Sequence, residues 1–313
     1  MRGESHRVAV VDIGSNSTRL LVADVGAERV DEVARESRVT RLARGVDLSG
    51  QLAAEAIESA CAAIADYVAT CQRLSVERIE AIATSAVRDA ANGDAFVAEL
   101  RERFALTTRV LDGEEEARLT YMGATFRRPP TEPTLVVDIG GGSTELIVGA
   151  GGEISFHASL QAGVVRHTER HLTSDPPGTG ELEALAADAR GLIEGALDSS
   201  PGAGARFGIA VAGTPTSLAS IDLGLEPYDP KQVHGRTLDL ETIQRLLSLL
   251  ASAPLAKRAQ IPGMHPDRAP SIVAGVVILV EAMRAFGLEA VEVSEHDILY
   301  GVAIGAFSAL ECG

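Results

Sequence analysis

The sequence has 313 residues, enough for about two domains, and its 46% hydrophobic and 23% charged residues allow a packed core. Aromatic residues make up only 4% and Trp is absent, so that core must be built from Ala, Val, Leu and Ile. A formal charge of −16 argues against a nucleic-acid partner, which would need a basic face to displace counterions from phosphates. Cys61, Cys71 and Cys312 form no metal-ligand spacing and no disulfide framework, so a reduced, cytoplasmic setting is expected. No signal-peptide pattern opens the chain, and no membrane partner is expected. The apolar run at 272–280 is far short of the ~20 residues a span needs.

In chain order, residues 7–25 read as two β-branched strands around the turn cluster DIGSNS, with a third strand over 30–42. Apolar residues at helical spacing predict a helix over 51–73. Residues 78–92 read as a strand, a loop and a helix start; 104–111 as a strand; 112–126 as an Asp-Gly turn becoming a helix. RRPPTEPT at 127–134 is a Pro-rich connector. After it come a second hairpin, a strand at 153–160, helices over 163–172 and 180–197, a loop at 198–205, and the buried strand 207–212. Helices over 239–251 and 266–286, a strand at 289–294 and a last helix at 297–311 complete the chain. Strands alternating with helices predict an α/β protein.

One stretch occurs twice. VVDIGSNSTRLLV at 10–22 returns as VVDIGGGSTELIV at 136–148, with nine of thirteen positions identical. In each copy an aspartate, Asp12 or Asp138, ends an apolar strand before a loop of small residues. Such loops let backbone N–H groups approach an anion closely and form a nest for phosphate oxygens. Gly14, Ser15, Asn16 and Ser17 in the first loop, and Gly140, Gly141, Gly142 and Ser143 in the second, are the expected phosphate contacts. The aspartates can hold hydrated Mg²⁺ or another divalent cation, hard ions that prefer oxygen ligands. A hairpin turn alone would explain one such loop, but it does not require Ser17/Ser143 and Thr18/Thr144 to match. The duplication predicts two domains of similar plan, with both loops facing one cleft.

These hairpins resemble the superfamily of acetate and sugar kinases, actin and the large heat-shock chaperones. That implies two duplicated ribonuclease H-like (actin-like) α/β domains, here 1–122 plus 297–313 and 123–296. Within it, the chain resembles the exopolyphosphatase and guanosine pentaphosphate phosphohydrolase family. The likeness rests on the two hairpins together with ATSAVRDAAN at 83–92, LDGEEEARLTYMG at 111–123, GVVRHTE at 163–169, AGTPTSLA at 212–219 and PDRAPSIVAGVVIL at 266–279.

By that resemblance Glu116 is the general base that takes a proton from the attacking water. Read alone, it is a solvated acid in a helix's first turn, where the macrodipole favours Glu. Asp138 and Glu145 are implied to place the cation or the water. Arg88, with Asn92 four residues on, is implied to contact substrate phosphate. Arg166 is the better further phosphate candidate, and Arg268 the better structural ion pair. Arg19, which replaces Glu145 in the first copy, is either a surface strand residue or a phosphate contact. Gly213, Thr214 and Ser217 follow a buried strand at an expected helix start, a natural anion site. His167 and His171 are four apart on a predicted helix and could hold a metal, but no nearby carboxylate completes a set.

Longer family members add a helical carboxy-terminal region; without it, processive action on very long chains is not expected. The expected activity is Mg²⁺-dependent release of terminal phosphate from inorganic polyphosphate. The rivals are guanosine pentaphosphate hydrolysis, a small-molecule kinase, and a nucleotide-switched binding module. A homodimer is expected as the commonest oligomer.

Overall fold

The computed structural model describes residues 5–127, 131–200 and 204–311. The middle of the Pro-rich connector, the middle of the 198–205 loop and Cys312 lie outside the described residues. The chain divides into two units, Met1–Arg127 with Asp297–Gly313, and Arg128–His296. The first boundary falls beyond the expected 122, because the helix that begins at Gly113 runs on to Ala124.

Unit 1 runs β1 (His6–Ile13), β2 (Ser17–Gly26), β3 (Arg29–Val39), α1 (Val46–Ser49), α2 (Ala54–Arg73), β4 (Arg78–Ala83), α3 (Ser85–Asp89), α4 (Gly93–Phe104), β5 (Thr108–Val110) and α5 (Gly113–Ala124). Its sheet has the order β3-β2-β1-β4-β5. β2 is antiparallel to both neighbours, while β4 is parallel to β1 and β5. From Val8 to Ile13 every β1 residue is buried, because the sheet is covered on both faces. Ala9, Val11 and Ile13 face one core with Ile64, Tyr67 and Phe96, and Val8 and Val10 face another with Leu119, Leu299 and Val302. The period-2 alternation of side chains divides one strand between two layers.

Unit 2 runs β6 (Thr134–Ile139), β7 (Thr144–Ala150), β8 (Glu153–Leu160), α6 (Val164–His171), α7 (Thr179–Asp198), β9 (Phe207–Val211), α8 (Gly213–Leu223), α9 (Pro230–Val233), β10 (Thr237–Asp239), α10 (Leu240–Ser252), α11 (Leu255–Arg258), α12 (Ile272–Ala285) and β11 (Ala290–Val293). The chain then returns to unit 1 as α13 (Ile298–Glu311). The second sheet, β10-β11-β9-β6-β7-β8, repeats the first with one added edge strand. The two sheets thus share one plan, as the repeat predicted, and it fits the ribonuclease H-like order that the resemblance implied.

The apolar run at 272–280 is a core helix: every α12 residue from Ile272 to Met283 is buried. Among the described residues no helix is long and apolar enough to cross a membrane. Two elements differ from expectation. The strand over 104–111 shrinks to β5 because α4 continues to Phe104 and ends on Ala105 at φ 53°. The helix over 266–286 starts only at Ile272; Pro266 opens a short 3₁₀ turn, and Pro270 lacks the N–H that a helix interior needs.

Candidate active site

In unit 1, Asp12 on β1 stands directly opposite Arg19 on β2, and Gly14 N–H closes the turn by donating to the Ser17 carbonyl at 3.1 Å. Residues directly opposed on neighbouring strands share a face. Arg19 donates to Asp12 Oδ2 through Nε at 2.8 Å and through Nη2 at 2.5 Å, and its Nη1 binds Asp297, which lies just ahead of α13. The Arg19 side chain is only 19% exposed, so it is no surface residue. Burial pushes the Asp12 carboxyl up and Arg19 pulls it back. Asp297 is also buried, but Arg19, Arg35 and the Leu299 amide together hold it below the ordinary range. Asp12 Oδ1 is buried and has no hydrogen-bond partner.

The rest of this loop ties unit 1 together. Ser15 Oγ lies 2.8 Å from Ser85 Oγ and accepts from Ala86 N–H at 3.0 Å, fixing the start of α3. The Asn16 carbonyl accepts from the amides of Thr40 and Arg41. Arg88, near the end of α3, donates through Nη1 to the Leu111 carbonyl at 2.8 Å and to Glu116 Oε2 at 3.2 Å. Glu116 sits in the first turn of α5, whose N-cap Asp112 accepts from Glu115 N–H. Glu116 is 7% exposed, whereas Glu114 and Glu115 remain outside the core. Burial pushes its carboxyl up to about 7, against the pull of Arg88.

In unit 2, Asp138 on β6 stands directly opposite Glu145 on β7, and Gly140 N–H donates to the Ser143 carbonyl at 2.9 Å. Both carboxylates are buried, at 9% and 2% exposure. Glu145 accepts from Ser159 Oγ on β8 at 3.0 Å. The loop is bound to α6. The Gly140 and Gly141 carbonyls accept from the amides of Val164 and Val165, and Arg166 Nε donates to the Gly142 carbonyl at 2.8 Å. A Cβ on Gly163 would lie 2.3 Å from the Gly141 oxygen, so only glycine permits this approach.

The third small-residue loop opens α8. Ser217 Oγ donates to the Gly213 carbonyl and Thr216 Oγ1 to the Ala212 carbonyl. Arg268 packs so closely over Gly213 that a Cβ there would sit 1.2 Å from Nη1. Thr214 is buried, with its side chain beside Gly275 of α12.

The sequence pattern of the Ppx/GppA phosphatase family matches residues 21–307. The chain belongs to that family. It is 38% identical over 317 residues to Exopolyphosphatase 2 of Mycobacterium tuberculosis, an alignment covering 95% of this chain and 98% of that one. It is 31% identical to Exopolyphosphatase 1 of Mycobacterium bovis, over 95% and 87% of the two chains. Among solved structures, an exopolyphosphatase-like protein superposes with a TM-score of 0.93 at 33% identity, over 98% and 99% of the chains. The Aquifex aeolicus Ppx/GppA family member gives 0.82 at 28%, over 99% of both.

Within this family member, the structure groups the expected residues as Asp12, Ser15, Arg88 and Glu116 in unit 1, and Asp138, Glu145, Arg166 and the 140–143 loop in unit 2. Asn92 departs from expectation. Its carboxamide bonds both backbone groups of Leu52, at 2.8 and 3.0 Å, and so pins a loop instead of presenting itself to a phosphate. Asp297, Ser159 and Gly163 were missed as site residues. GVVRHTE does begin with Gly163, but its steric need appears only when the 140–142 loop lies against it. Asp297 carries no signal at all, since its partner is 278 residues away in sequence.

Proposed function

We propose that this Ppx/GppA family member is an exopolyphosphatase that releases terminal orthophosphate from inorganic polyphosphate by water attack. The observation that carries the proposal is Glu116: a buried carboxylate at a helix start, pushed up to about 7 and oriented by Arg88. A base of that pKa accepts a proton readily while roughly half of it stays unprotonated at neutral pH. Glu116 takes the proton of the attacking water. The new P–O bond forms as the bridging P–O bond to the rest of the chain breaks, and the shortened chain leaves as a phosphate oxyanion. The names of the mycobacterial relatives supply the substrate class. Within unit 1, Arg88 and the amides of its DIG loop are the proposed phosphate contacts; within unit 2, Arg166 and the amides of its own loop are.

The residues present fit a divalent cation. Asp138 and Glu145 place two buried carboxylates in directly opposed strand positions, and such oxygen-only donors suit Mg²⁺. Asp138 and Glu145 would hold it; Asp12, already neutralised by Arg19, offers only Oδ1. Bound there, Mg²⁺ would supply electrostatic stabilisation of phosphate charge. Free, buried Cys61 and Cys71 accord with a reducing, cytoplasmic setting.

Glu116→Gln should lower phosphate release from short-chain polyphosphate with Mg²⁺ by about a hundredfold or more. Equal release by both proteins removes Glu116 from its role, and no release by wild type removes the substrate. In wild type, kcat/KM should fall about tenfold per pH unit below about 7, as Glu116 takes up its proton. Stability should move the other way. A glutamate titrates near 4.5 in the unfolded chain and near 7 here, so its charging costs the folded state stability as pH rises between those values. Glu116→Gln should therefore gain on the order of 3 kcal/mol over wild type at pH 8, and nothing near pH 4. Paired urea melts at the two pH values check this.

A further inference from the structure

We propose that His167, His171 and Asp188 form a site in unit 2 for a transition-metal ion of the zinc class, separate from the Asp138–Glu145 pair and from the phosphate chemistry. His167 and His171 lie one turn apart on α6, and Asp188 reaches them from α7. One donor atom from each lies within 4.8 Å of the others. His171 Nε2 is 2.8 Å and His167 Nε2 3.6 Å from Asp188 Oδ2. Around a tetrahedral ion with bonds of ~2.0–2.1 Å, donors stand roughly 3.3 Å apart, so rotamer adjustment alone closes this set.

His167 marks the cluster as more than an ion pair. Its ring is fully buried, and neither ring nitrogen has a hydrogen-bond partner. Leaving a buried imidazole unsatisfied is costly, and a metal ion removes that cost for one nitrogen. Burial lowers its pKa to about 4, so it stands in the neutral form that a metal requires. Arg170 Nη1 also contacts Asp188, at 3.2 Å, but that side chain is 44% exposed and can swing into water. Two imidazoles and one carboxylate suit zinc, cobalt or nickel and leave at least one position open; Mg²⁺ prefers oxygen donors. The position matters, because the first turn of the same eight-residue helix holds the 140–142 loop and carries Arg166. An ion binding the last turn would clamp the helix that supports that loop.

The test uses the full chain, stripped by chelator and titrated with Co²⁺ in excess Mg²⁺, which keeps oxygen-only sites occupied. One equivalent should bind, displaceable by Zn²⁺. His171→Ala and Asp188→Asn, both partly exposed positions, should weaken it by about a hundredfold each, since even outer-shell losses cost 10–100-fold at metal sites. X-ray absorption of the cobalt-loaded wild type should read two imidazole ligands, independently of whether any variant folds. Wild-type affinity no better than that of the folded variants, or an ion with no imidazole ligand, overturns the proposal.

Discussion

The two DIG hairpins share backbone, turn and nine of thirteen residues, yet they differ where it matters most. Opposite the strand-end aspartate, the first carries Arg19 and the second Glu145. The first hairpin neutralises itself: Arg19 spans Asp12 and Asp297 and locks α13 to the sheet. The second sets two buried carboxylates opposite each other, the donor pair proposed above for a cation. One side chain, at one register position, separates an Asp–Arg ion pair from an Asp–Glu carboxylate pair. Duplication kept the frame, and the charge opposite the aspartate set the use of each copy.

That comparison can be broken directly. Glu145→Arg should make the second hairpin resemble the first; phosphate release should fall by about a thousandfold, worth about 4 kcal/mol, and lose its response to Mg²⁺. Undiminished Mg²⁺-dependent release would remove Glu145 from the cation site. Arg19→Met should leave Asp12 and Asp297 buried without the cation they share, and cost about 3–5 kcal/mol in urea unfolding. The loss should shrink as pH is lowered, because burial then raises both carboxyls and their protonation restores stability. A pH-independent loss would mean the pair matters only through packing. The smallest effect concerns the turns. A Cβ on Gly14 would meet the Ser17 oxygen at 2.8 Å, and one on Gly140 the Ser143 oxygen at 3.1 Å. Gly14→Ala should thus cost roughly 1–2 kcal/mol, and Gly140→Ala less, by thermal unfolding.

Much of the fold was legible. The repeated apolar strands predicted two domains of similar plan, and the spacing of apolar residues found the helix that becomes α2. The helix start expected within 78–92 runs on as α4 to Phe104 and shortens β5; the proline positions delay α12. The site was legible in part. Matching Thr18 and Thr144 seemed to favour a ligand, but each hydroxyl ties its hairpin to the next segment. Thr18 pairs with Thr40, and Thr144 donates to the Ala162 carbonyl. Asn92 likewise serves the backbone of Leu52. No carboxylate near His167 and His171 in sequence completes the pair, but Asp188 of α7, 17 residues beyond His171, does so in the fold.

Local period and the repeated stretch determined the α/β class, the duplicated hairpins and the helix that starts at Gly113, and the motifs in order carried the likeness to the family. Burial and partnership act between residues far apart in sequence, and only the folded chain decided them. Three adjacent glutamates look alike as letters; packing leaves Glu114 and Glu115 outside the core, buries Glu116 against Arg88 and moves its pKa to about 7. Arg19 gains its meaning from Asp297, and His167 from Asp188. A side chain's charge state is set by the water it loses and the groups it then meets, and both are properties of the tertiary structure.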